Sequence, residues 1–157
     1  MLSKVKKGLN LRFKVSTCTI IGMKVLTESE DTICEHLCAY MGVEYPGVLF
    51  CHVPNEGAPG RYGYIRGKRQ KRLGLRKGMV DYLFFGNSHD GDSVLLALEV
   101  KTERGMLSKT QKCVLEKLGE QDAYSAYVAY GYAAVISVVE HYFKGKRYDA
   151  TQRIRQF

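Results

Sequence analysis

Apolar residues recur at helical spacing between Glu28 and Met41, with Ile33, Leu37 and Met41 on one face. Thr27 or Ser29 stands where an N-cap belongs, and acids in the first turn complement the helix dipole, so this segment is predicted as a helix. Val48-Leu49-Phe50-Cys51-His52-Val53 follows Pro46-Gly47 and stops at Pro54; a short apolar run with such borders reads as a buried strand. Asn55 to Gly63, with Gly57, Pro59, Gly60 and Gly63, has the composition of a loop. Met79 to Phe85 and Val94 to Lys101 are rich in β-formers and are separated by Gly86-Asn87-Ser88-His89-Asp90-Gly91-Asp92, which predicts an antiparallel hairpin. Ser108-Lys109-Thr110-Gln111 has the form of a capping box and opens a helix to about Leu118, with Val114, Leu115 and Leu118 inward and Gly119 at its end. Ala126 to Ala129 reads as a strand and Ala133 to Phe143 as an apolar helix. The polar tail Lys144 to Phe157 reads as a frayed end.

The resulting order, α-β-β-β-α-β-α, describes an α/β or α+β layer in which a mixed sheet lies between helices. A chain of 157 residues makes one such domain, over about 26–144, flanked by a basic extension at 1–25 whose apolar pattern is irregular and by the tail at 145–157. With 45% apolar and 25% charged residues the composition is that of a folded chain. No run approaches the roughly 18 uncharged residues of a membrane span. The start, Met1-Leu2-Ser3-Lys4-Val5-Lys6-Lys7, lacks the apolar core of a secretory signal, so a soluble, intracellular protein is expected. Cys18, Cys34, Cys38, Cys51 and Cys113 are odd in number and show no C-x-x-C pair, which favours reduced thiols over a zinc site.

Charge changes the picture more. A formal excess of +8 and a pI near 9.3 favour a polyanionic partner, and nucleic acid ranks ahead of a membrane surface because no amphipathic membrane-binding stretch is present. Seven of the cations, Arg66, Lys68, Arg69, Lys71, Arg72, Arg76 and Lys77, fall in one stretch without an acid. They read either as a solvated face or as a surface that tracks phosphates.

Strand alternation puts Leu95, Ala97, Glu99 and Lys101 on one face of their strand, so an acid and a lysine project together from an otherwise apolar element. Burying either alone costs several kcal/mol, so each needs a partner in the other, in a metal or in water. Antiparallel pairing through the hairpin loop sets Asp81 beside them. Two carboxylates and a lysine suit a hard divalent cation, since Mg²⁺ takes one or two carboxylates together with waters and phosphate oxygens. The competing reading is a surface hairpin bearing an ordinary Glu-Lys pair.

The ordered series Gly74-Leu75-Arg76-Lys77-Gly78-Met79-Val80-Asp81, Leu98-Glu99-Val100-Lys101-Thr102 and Gly105-Met106-Leu107-Ser108-Lys109-Thr110-Gln111 resembles the motifs of the VRR-NUC nucleases, a branch of the PD-(D/E)xK superfamily. The likeness extends upstream to His52-Val53-Pro54-Asn55-Glu56-Gly57 and downstream to Tyr127-Val128-Ala129-Tyr130-Gly131-Tyr132, covering most of 28–143. Val80 departs from the proline that the family often carries before its aspartate; this alters local turn chemistry and removes no ligand.

The resemblance implies a restriction-endonuclease-like α/β core and an Mg²⁺- or Mn²⁺-dependent DNA endonuclease. It implies that Asp81 and Glu99 bind metal, that the Val100 carbonyl adds a ligand, that Lys101 is catalytic and that Gln111 matches the family glutamine, a role compatible with its capping box. A further acid from the first helix completes such a site. Glu30 shares a face with Ile33 and Leu37 and is the choice over Glu28, Asp31 and Glu35. Asn55 matches a family asparagine at the rim and is equally readable as a turn residue. With Lys68, Arg69, Lys71, Arg72, Arg76 and Lys77 it forms the expected DNA-binding set, and Tyr62 and Tyr64 read either as base-stacking residues or as loop packing. His52 reads as a packed core or rim histidine ahead of a general base. Free-standing relatives suggest a homodimer acting on branched DNA such as four-way junctions, in replication, repair or recombination and often in phage, hence in a bacterial cytoplasm. A non-catalytic nucleic-acid-binding module and an RNA-acting nuclease are the alternatives.

Overall fold

The computed structural model describes residues 28–54 and 67–157; the basic extension, the loop residues from Asn55 to Arg66 and the stacking candidates Tyr62 and Tyr64 lie outside them. Ser29 caps the first helix, α1 (Glu30–Glu44), by accepting from the Thr32 backbone N–H at 3.1 Å. Strand β1 (Leu49–His52) follows, then a short helical segment α2 at 67–72, and then the hairpin strands β2 (Tyr82–Phe85) and β3 (Leu95–Lys101). The chain continues through α3 (Lys109–Gly119), β4 (Tyr124–Tyr130), α4 (Tyr132–Lys144) and β5 (Ile154–Gln156).

The five strands lie in sequence order, antiparallel except for β3 and β4, which run parallel and are joined across the sheet by α3. The predicted mixed sheet between helices is the architecture observed. Its central strand β3 is buried on both faces, which is why Leu95 to Leu98 is a continuous apolar run. On one face Leu96, Leu98 and Val100 meet Ile33, Leu37 and Met41 of α1 and Val135, Val138 and Val139 of α4. On the other, Ala97 and Val128 meet Leu115 of α3 and Val80.

Two expectations fail at the sheet's edges. β1 is not a buried strand: Leu49 is 70% exposed, Cys51 and His52 are exposed, and only Phe50 packs partly against the core. As an edge strand it pairs on one side only, so an apolar sequence did not secure burial. The tail is not frayed, because β5 pairs with β4 through Tyr127↔Gln156, Val128↔Arg155 and Ala129↔Ile154, and the Phe157 N–H donates to the Ala126 carbonyl at 3.0 Å. Phe157 packs on the core beneath α3, so the folded unit runs to the last residue. Gly119 accepts this closeness, since a Cβ there would collide with the Phe157 backbone.

Phe157→Ala is therefore expected to destabilise the protein by on the order of 2 kcal/mol, below the cost of truncating a fully buried Phe. The urea midpoint reads this; an unmoved midpoint would mean that the tail adds nothing to the core.

Candidate active site

Asp81, Glu99 and Lys101 converge where the hairpin meets the carboxyl end of β3. The pairing of Tyr82 with Leu98 sets Asp81 opposite Glu99, and Asp81 Oδ2 accepts the Val100 backbone N–H at 2.8 Å. Gly78 brings the chain there. Its φ is +79°, and a Cβ at this position would lie 2.8 Å from Thr110, so only glycine passes the start of α3 so closely.

Glu99 is fully buried and Lys101 nearly so, at 0% and 6% exposure. Lys101 Nζ sits 2.9 Å from Glu99 Oε1 and 3.2 Å from both carboxylate oxygens of Glu30. Although α1 packs on the opposite face of the sheet, its first residue reaches around the strand end. Glu30 thus joins the cluster through the lysine, while Glu28, Asp31 and Glu35 are exposed.

Gln111 performs two tasks. Its Oε1 accepts from the Ser108 N–H at 2.9 Å and its own N–H donates to Ser108 Oγ at 3.2 Å, which closes the capping box of α3. Its Nε2 donates to Glu99 Oε1. The other oxygen, Glu99 Oε2, is buried with no hydrogen-bond partner among the described residues.

Burial, followed by the charge of Asp81, pushes the Glu99 carboxyl up to about 7, against the pull of Lys101. Lys101 responds differently: burial alone would lower it, but the acids around it, Glu99 foremost, raise it above the ordinary lysine value. The two directions are compatible, because one ammonium answers three carboxylates. The lysine stays protonated near neutral pH and the acid cluster remains short of positive charge.

That shortage, with an orphaned carboxylate oxygen beside a second acid, fits a hard cation held through Asp81 and Glu99 and completed by backbone oxygen, water and phosphate. Among the described residues no three His, Cys, Asp or Glu side chains stand close enough to form a metal cage. A two-carboxylate set of this kind suits Mg²⁺ or Mn²⁺ better than softer metals such as zinc or copper.

The basic stretch lies just before Asp81 in the sequence. Lys68, Arg69, Lys71 and Arg72 lie on or beside α2, with Arg76 and Lys77 following, and all six are exposed. Asn55 lies outside the described residues. His52 is exposed, with its ring 5.1 Å from that of Tyr82, on the rim rather than in the core. The sequence reading had Tyr130 only within the Tyr127–Tyr132 likeness and did not single out Arg153, whose guanidinium stacks on the Tyr130 ring at 3.8 Å next to the end of β3. Only the fold of β5 brings them together, and no local pattern signals it.

Neither a protein-family model nor a curated protein sequence matches this chain. A solved structure described as a VRR_NUC domain protein is similar to it at 21% sequence identity and a TM-score of 0.58, covering 83% of this chain and 99% of that one. At that identity the likeness is one of fold, and the fold is the VRR_NUC, restriction-endonuclease-like arrangement. No helix among the described residues is long and apolar enough to cross a membrane.

The raised Glu99 carboxyl makes stability pH-dependent in metal-free protein. The folded state holds a proton that the unfolded chain gives up near 4.5, so the contribution is complete below that value and is lost as the pH rises through about 7. The loss is on the order of 3 kcal/mol. In EDTA, the urea midpoint should fall between pH 5 and pH 8, and Glu99→Gln should flatten that fall. Parallel profiles for the two proteins would count against a protonated Glu99.

Proposed function

We propose that this protein is a metal-dependent DNA nuclease that hydrolyses phosphodiester bonds, with Asp81 and Glu99 holding Mg²⁺ or Mn²⁺. The observation that carries the reading is the buried Glu99–Lys101 pair beside Asp81, with Glu99 Oε2 left unsatisfied at the strand end of a nuclease-type fold. A module that only bound DNA would have no use for clustered acids that repel phosphate.

When bound, the metal would polarise the scissile phosphate and lower the pKa of the attacking water. The chain's own residues divide the remaining work. Lys101, kept protonated by the acids, is unsuited to act as a base and serves as a fixed positive charge for the transition-state phosphate. Gln111 fixes the Glu99 carboxylate from the first turn of α3, and Glu30 holds the lysine from α1. The exposed cations from Lys68 to Lys77 supply affinity for the DNA backbone.

Branched DNA, such as a four-way junction, is the substrate we favour, acted on by a homodimer that offers two sites to a symmetric branch. A panel of linear, flapped and four-way-junction DNA and of RNA, with Mg²⁺ or Mn²⁺, tests the substrate class, and light scattering reads the stoichiometry. Cleavage of none of these, or cleavage undiminished in excess EDTA, would overturn the nuclease reading.

Lys101→Met keeps the apolar stem and leaves both metal-holding acids in place. It should lower the cleavage rate on the order of 10²-fold or more, with DNA affinity changed only a few-fold. A folded variant cutting at nearly the wild-type rate would remove Lys101 from the chemistry.

Replacing Lys68, Arg69, Lys71 and Arg72 by glutamine should instead weaken binding and flatten its salt dependence by about 0.9 log units per lost phosphate contact. An unchanged slope would make this stretch a solvated face.

A further inference from the structure

A cavity of about 500 Å³ adjoins the proposed catalytic cluster; Glu28, Glu103, Tyr130, Tyr132, Gln152 and Arg153 are among its lining residues. Tyr130 is the register partner of Lys101, and the Gly131 N–H donates to the Lys101 carbonyl at 2.8 Å. Cavity and cluster therefore share one strand end. Gly131, at φ +82°, makes the turn into α4 against the side chain of Glu103.

The lining decides the chemistry of the occupant. Its walls are aromatic: Tyr130 lies under the Arg153 guanidinium, and Tyr132 is held edge-on by His36 at 5.5 Å. Its charged side chains are the carboxylates of Glu28 and Glu103 and the guanidinium of Arg153. Two carboxylates disfavour a phosphate and favour a ligand that brings N–H donors. A flat ring with N–H donors meets both conditions, and beside a phosphodiester site such a ring is a nucleobase.

We propose that this cavity receives an unpaired base next to the cut phosphate, and guanine ahead of the others. The Glu103 carboxylate accepts from its N1–H and exocyclic amine, and Arg153 supplies the donor that O6 requires. Arg153 is set for that part by its stack on Tyr130 and by its Nη1, which donates to the Glu103 carbonyl at 3.1 Å. The assignment rests on the nuclease reading and would make branch recognition a matter of where an unpaired base can be lodged.

The test uses full-length protein and flapped DNA whose first unpaired bases, scanned in turn, are guanine, hypoxanthine or abasic. Affinity is measured in Ca²⁺, which supplies positive charge at the acids with little cutting, and cleavage in Mg²⁺. Hypoxanthine lacks the exocyclic amine, so guanine should bind about ten-fold more tightly at one position. The exposed Glu103→Gln should erase that ratio, whatever it does to overall affinity, and Tyr132→Leu should weaken guanine and hypoxanthine alike. Equal affinities at every position, no binding at all, or a guanine preference that survives Glu103→Gln would overturn the proposal. Base preference in Ca²⁺ without cleavage in Mg²⁺ would instead retain the pocket and remove the nuclease reading.

Discussion

A fully buried glutamate at the end of the central strand is the constraint on which the rest of this structure turns. An ionised carboxylate at that depth costs several kcal/mol unless its charge and its oxygens are answered. Lys101 answers the charge and Gln111 one oxygen, while Asp81 across the hairpin makes matters worse. An apolar residue at position 99 would give a more stable sheet. Keeping an acid there, with a second acid opposite, leaves the site prepared for a positive ligand and makes the fold less stable for it.

Satisfying Glu99 also fixes much of the local architecture. The glutamine that reaches it must project from the first turn of α3, where it doubles as the capping-box residue, so helix start and site geometry are one feature. Gly78 lets the approach to Asp81 pass that same helix start. Glu30 opens α1 and Gly131 opens α4, so three helix beginnings meet the carboxyl ends of the parallel pair β3 and β4. Ligand sites of open α/β sheets lie at such ends because side chains there project past the strand into a crevice between connections.

The parts of this arrangement legible in the sequence were those encoded by short periods. Two-residue alternation placed Glu99 with Lys101, the hairpin loop placed Asp81 beside them, and the Ser108–Gln111 spacing marked the start of α3. Glu30 followed from the face it shares with Ile33 and Leu37. The failures share a different cause. β1 has the apolar sequence of an interior strand, but its exposure depends on its place at the sheet's edge, which no local pattern records. β5 is three residues long, too short for a periodic signal, and forms because Phe157 and Ile154 find opposite faces of a sheet built earlier in the chain. The stack of Arg153 on Tyr130 stayed hidden for the same reason.

The electrostatics of the molecule then divide into two scales. The whole chain carries +8, yet the site at the end of β3 gathers Glu30, Asp81 and Glu99 around a single lysine, and the adjoining cavity adds Glu28 and Glu103. A polyanion drawn by the exposed cations of Lys68 to Lys77 would meet locally negative ground at the place where chemistry would occur. In the proposed nuclease, attraction and reaction thus fall to different residues, and a cation at Asp81 and Glu99 is what would reconcile them. With it, the approach of a phosphate becomes favourable at the strand end; without it, the long-range field can still hold the nucleic acid while the short-range field keeps its backbone away from Lys101. On the proposed reading, binding and cleavage should therefore separate cleanly, since the groups proposed to recruit the substrate are not the groups that would admit it to the site.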